Sequence, residues 1–159
     1  GAPQLPKPIR NSPAGPFVAE GVEHPTPPAS ALVLFAHGSP DPRWREPFVR
    51  LHEALEAEAG PGRVWLAYME FARPTLLDVI KCLRGRGIRK VKLLPLFMSA
   101  GGHVAADIPR QAAEALEVYR DMTIQVLPPV GEHPLLAGAL HAIAREALAR
   151  RTVAVAARG

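Results

Sequence analysis

A chain of 159 residues, 48% apolar and 21% charged, has enough material for one domain with a buried core, and no apolar run approaches the roughly 20 residues of a membrane span. The net charge of +4 belongs wholly to the residues after 30, because Lys7 and Arg10 balance Glu20 and Glu23; a modest positive field favours anionic ligands, while scattered basic residues and 6% aromatics argue against a nucleic-acid partner. A single cysteine, Cys82, excludes an internal disulfide, and the absence of an apolar secretory segment completes the expectation of a cytoplasmic protein.

Residues 1–30 hold eight of the 18 prolines, a density that blocks helices and central strands and predicts a disordered arm. Residues 31–150 read as one α/β domain and 151–159 as a tail. Ala31–Ala36 is a short apolar run, apt for a strand buried on both faces. A helix is expected over 46–59, where Phe48, Leu51, His52 and Leu55 keep helical spacing and Gly60-Pro61-Gly62 ends it. Val64–Met69 is the second strand, and Pro74 opens a second helix in which Cys82 reads as a small buried hydrophobe. Lys90–Phe97 is the third strand, followed by a helix capped by Asp107 with Pro109 in its first turn. Thr123–Leu127 is the fourth strand, and Leu135, Leu136, Ala139, Leu140, Ile143, Ala147 and Leu148 make the apolar stripe of a last helix.

Strict β-α alternation predicts an open four-stranded parallel sheet in the order 2-1-3-4 with helices on both faces, because crossovers are right-handed. Ligands in such sheets bind beyond the carboxyl ends of the strands, where the loops after strands 1 and 3 diverge. His37 follows strand 1, His103 follows strand 3 and Glu70 ends strand 2. Two imidazoles and a carboxylate on one rim suit a first-row divalent cation and leave coordination positions open. Gly101 and Gly102 permit close backbone approach, as a substrate floor or as ordinary turns. Ser39 belongs to a turn with Asp41; Phe97 and Met98 line an apolar wall or pack the core; His133 enters the last helix or contacts substrate. No phosphate-binding glycine fingerprint is present.

Four blocks, His37-Gly38-Ser39-x-Asp41-Pro42, Met69-Glu70-x-x-x-Pro74, Pro95-Leu96-Phe97-x-x-x-Gly101-x-His103-x-x-x-Asp107-Ile108-Pro109 and Gly131-x-His133-Pro134, resemble those of the CbiX-type small sirohydrochlorin chelatases over about residues 31–148. The resemblance implies insertion of a divalent metal, cobalt or iron first and nickel next, into the tetrapyrrole sirohydrochlorin, in cobalamin or siroheme biosynthesis. It places the metal ligands, which are also the catalytic residues, at His37, Glu70 and His103. The metal is then a substrate, and no organic cofactor is required. Because the pigment carries many carboxylates, Arg43, Arg45, Arg73 and Arg110 become candidate clamps. A single domain resembles the family's short form, which implies a homodimer. Pro40 stands where many relatives carry a basic residue. The alternative is a non-catalytic metal or tetrapyrrole carrier on the same fold.

Overall fold

The computed structural model describes residues 29–99 and 101–151, without the side chains of His103 and Ala105. The expected proline arm and C-terminal tail lie almost wholly outside the described residues. In chain order the elements are β1 (Ser30–Ala36), α1 (Pro42–Ala59), β2 (Val64–Tyr68), α2 (Leu76–Gly85), β3 (Lys90–Pro95), α3 (Gly102–Val118), β4 (Thr123–Val126), a 3-10 turn (Val130–Glu132) and α4 (Pro134–Ala149).

The four strands form one parallel sheet in the order β2-β1-β3-β4. Val33 pairs with Trp65 on one side and Leu93 on the other, which sets the register. Residues in register point to one face, so Val33, Phe35, Ala67, Val91 and Leu93 form an apolar sheet surface. α2 and α3 touch each other and cover it with Leu76, Val79, Ile80, Leu83, Ile108, Ala112 and Ala115, all buried. The step from β1 to β2 runs opposite to the step from β2 to β3, so right-handed crossovers put α1 and α2 on opposite faces. Leu34 and Ala36 point to the α1 side and are buried, whereas Lys90 and Lys92 on that side are exposed. The alternation in β3 therefore reflects a sheet covered on one side there and open on the other.

Several helix limits differ from the sequence expectation. α1 begins at Pro42 rather than 46, because Asp41 is its N-cap and accepts a bond from the Arg43 amide (2.9 Å). α2 begins after Pro74: Thr75 and Asp78 form a reciprocal capping box, with Asp78 N donating to Thr75 (3.1 Å) and Thr75 N to Asp78 (2.9 Å). α3 begins at Gly102, five residues before the expected Asp107 cap, and Pro109 sits inside it. Val104, Ile108, Ala112 and Ala115 repeat at helical spacing against the core, and that burial extends the helix back past a proline that costs it one backbone bond. Cys82 is exposed on α2 rather than buried, because the stripe Leu76, Val79, Ile80, Leu83 leaves it on the outer side. The stripe of α4 is present, yet no α4 residue is buried, and the helix packs mainly against the 3-10 turn.

Candidate metal and substrate site at the sheet rim

The β1–β2 ladder does not stop at the strand ends. Met69 N donates to Ala36 O (2.8 Å) and Glu70 N to His37 O (2.9 Å), so the two loops leave the sheet bonded to each other. Gly38 makes this approach possible. Its φ is +103°, and a Cβ there would lie 1.7 Å from the Glu70 carbonyl oxygen. The result brings His37 Nε2 to 2.6 Å from Glu70 Oε2, with the two side chains 36% and 43% exposed. That exposure leaves both groups accessible to an ion and a ligand from solvent.

The surroundings are apolar. The Phe97 ring meets His37 edge-on at 6.0 Å between centroids. Phe97 is half-buried against the core, while Met98 next to it is exposed. Phe71, directly after Glu70, is 66% exposed at a φ of +66°. A bulky residue in the left-handed region is a genuine backbone outlier, and here it directly follows Glu70. The loop after β3 is propped from below: Gly131 N donates to Phe97 O (2.9 Å), and a Cβ on Gly131 would overlap the Met98 backbone at 1.7 Å. From α3, Gln111 Nε2 donates to Met69 O (3.0 Å) and fixes the residue before Glu70.

The other expected site residues separate into two groups. His103 is the second residue of α3, on the rim beyond β3, with Gly101 as N-cap and Gly102 at φ +65°; its side chain lies outside the described residues. Ser39 Oγ accepts from Asp41 N (3.1 Å), the turn role. Arg43 is tied to Asp41 (2.9 Å), whose carboxyl that arginine holds below the usual carboxylate range. His133 is the helix-entry residue: Leu135 N donates to its Nδ1 (3.0 Å). Among the described residues no three His, Cys, Asp or Glu side chains converge on one point, so His37 and Glu70 are the described part of the expected set. Phe71 and Gln111 figure in no sequence motif and are marked only by position, beside Glu70 and on the helix after His103; Gly131 figures in the Gly131-x-His133-Pro134 block, but nothing in that block signals its contact with the Met98 backbone.

The pair suits a borderline cation. Metal–nitrogen and metal–oxygen bonds of about 2.1 Å at an angle between 90° and 109° need N and O roughly 3.0–3.4 Å apart. The observed 2.6 Å suits one shared proton, so an opening of less than about 1 Å converts the hydrogen bond into a ligand pair. Carboxylate and imidazole then exchange a proton for an ion in one place.

The architecture is an open parallel α/β sheet that carries an imidazole–carboxylate pair on the rim beyond β1 and β2. The CbiX family model matches residues 31–147, and the chain belongs to the CbiX family. It is 30% identical over 111 residues to the chloroplastic sirohydrochlorin ferrochelatase of Arabidopsis thaliana, covering 68% of this chain and 48% of that protein. It is 35% identical over 80 residues to the sirohydrochlorin cobaltochelatase of Methanocaldococcus jannaschii, covering 50% of this chain and 56% of that one. The chain thus spans about half the length of these curated relatives. Among solved structures, a cobalamin (vitamin B12) biosynthesis CbiX protein of Marinobacter aquaeolei VT8 superposes with a TM-score of 0.68 at 33% identity, covering 77% of this chain and 99% of that one. The cobalt complex of the sirohydrochlorin chelatase SirB from Bacillus subtilis subspecies spizizenii, 20% identical with a TM-score of 0.64, covers 74% of this chain and 50% of that one and shares the fold.

Proposed function

We propose that this protein inserts a divalent metal ion, cobalt or iron, into sirohydrochlorin as a cytoplasmic homodimer. The observation that carries the reading is the His37–Glu70 contact of 2.6 Å on an accessible rim, in a chain of the CbiX family. The names of its relatives support the pigment and the two metals. His37, Glu70 and His103 hold the ion with water in its remaining positions. A free-base tetrapyrrole must lose two inner N–H protons as the metal enters. When the ion leaves His37 and Glu70 for the pyrrole nitrogens, those two side chains become free bases within reach of the departing protons. Phe71, Met98 and Phe97 offer an apolar rim for a flat macrocycle. Among the described residues no helix is long and apolar enough to cross a membrane, which agrees with action on a dissolved substrate.

The dimer reading rests on α4. Leu135, Leu140, Ile143 and Leu148 are all exposed on one helix. A lone 16-residue helix is marginal in water, and an apolar one needs a covering surface. A second copy supplies it.

The test is an insertion assay with Co²⁺, Fe²⁺ and Ni²⁺ against sirohydrochlorin, followed by pigment absorbance. The expected result is insertion well above the uncatalysed rate with cobalt or iron, reduced at least about 100-fold in His37→Ala and in His103→Ala. Pigment binding without acceleration would make the protein a carrier and end the enzymatic reading.

A further inference from the structure

We infer that Arg45 and the Tyr68 hydroxyl form a seat for a carboxylate on a short apolar stem, an acid arm of the pigment whose ring lies over His37 and Glu70. This rests on the proposed reading of the rim site and names how that site holds its substrate.

Four arginines stand near the rim, and three are already neutralised. Arg43 pairs with Asp41 (2.9 Å), Arg73 with Asp78 (2.8 Å) and Arg110 with Asp107 and Glu114 (3.0 Å each). Arg45, half-buried in the first turn of α1, has no carboxylate partner among the described residues. The acid beside it, Glu46, is held by Arg50 (3.2 Å). A partly buried guanidinium without a counter-charge is a standing demand for an anion.

Arg45 opens into a groove of about 530 Å³ between α1 and β2, a volume within the range of small-molecule sites. Val49, Trp65, Leu66 and Pro74 give it apolar walls. Its other polar side chains are engaged: Arg73 and Glu46 as above, and His52 through Nε2 to the Val64 carbonyl (2.8 Å). Tyr68 also lines it. That residue is 3% exposed, and its hydroxyl makes no hydrogen bond among the described residues. Arg45 and Tyr68 line the same groove; burial pushes the phenol up, and the Arg45 charge acts in the opposite direction. One buried donor and one unpaired cation at the end of an apolar groove match a carboxylate on a hydrocarbon stem. Tyr68 lies two residues before Glu70, roughly 7 Å along an extended chain, so a ligand over the metal pair reaches the groove with its periphery.

The experiment compares wild type, Arg45→Met, Arg45→Lys and Tyr68→Phe for sirohydrochlorin KM and kcat, for pigment affinity by quenching of Trp fluorescence, and for Co²⁺ affinity by titration. Arg45→Met is expected to raise KM and pigment Kd about tenfold or more, with kcat within about twofold and Co²⁺ affinity unchanged. Lys should restore part of the loss, and Tyr68→Phe should show a smaller increase. A fully esterified pigment should bind wild type and Arg45→Met alike. Wild-type KM and pigment affinity in Arg45→Met would overturn the seat. So would tight binding of succinate alone with unaltered pigment affinity in the variant, which marks a separate small-acid site. If wild type fails to insert metal, the fluorescence arm still reads the seat, and the two failures remain distinct.

Discussion

Gly38 shows how little freedom the site has at the residue scale. Its φ is +103°, and the atom that an added Cβ would strike is a backbone oxygen, not the end of a flexible side chain. Gly38→Ala is therefore expected to cost about 1–3 kcal/mol of stability and to weaken Co²⁺ binding by tenfold or more, read by urea denaturation and metal titration on the same sample. Unchanged affinity in the variant would mean that the ion does not use the His37–Glu70 pair. That His37 and Glu70 meet on one rim is legible in the chain because each ends an apolar run, and strand ends in an open sheet share a rim. The contacts of Gln111 and Gly131 are not. Their roles are single contacts, to Met69 O and to the Met98 backbone, between residues 42 and 33 positions apart, and no local pattern encodes such a meeting.

At the scale of elements, the strands and their order follow from periodicity and handedness, whereas the helix ends follow from capping and from burial that periodicity alone ranks poorly. Pro109 reads as a first-turn residue, yet Val104 packing on the core carries α3 back to Gly102. Pro74 likewise reads as an opener, but the Thr75–Asp78 box sets the true start of α2. Asp78 also accepts two bonds from Arg73 (3.1 and 2.8 Å), and that arginine, with the Thr75 amide, holds its carboxyl below the usual range. The folded value lies below the unfolded one, so this stabilisation is present above the ordinary carboxylate range and is lost as pH falls through the folded value. Asp78→Asn should lower stability by about 1 kcal/mol at pH 7, and the gap to wild type should narrow only as pH falls below the ordinary carboxylate value and close once it is below the lowered folded value. Parallel urea curves at pH 7 and at about pH 2 read both halves. A gap that persists in acid would assign the loss to packing instead of charge.

For the whole molecule, the sheet is well covered by α2 and α3, while α4 has an apolar stripe with nothing buried. The stripe was legible from its spacing; its lack of cover was not, because periodicity reports an apolar face and is silent on what meets it. Ile143→Asp puts a charge in that stripe at a residue 62% exposed, so the fold of one chain should survive while the proposed dimer dissociates. Light scattering is expected to give twice the chain mass for the parent protein and the single mass for the variant; a parent protein of single mass would remove the dimer. The backbone bonds from Met69 to Ala36 and from Glu70 to His37 carry one last implication, for transplantation. The Ser39–Asp41 turn shapes only the far half of the histidine loop; at His37 and Gly38 the neighbouring loop supplies the amide partners and the oxygen that Gly38 must clear. A graft of residues 37–42 onto a foreign scaffold should therefore fail to take up metal unless residues 69–71 travel with it as a matched set.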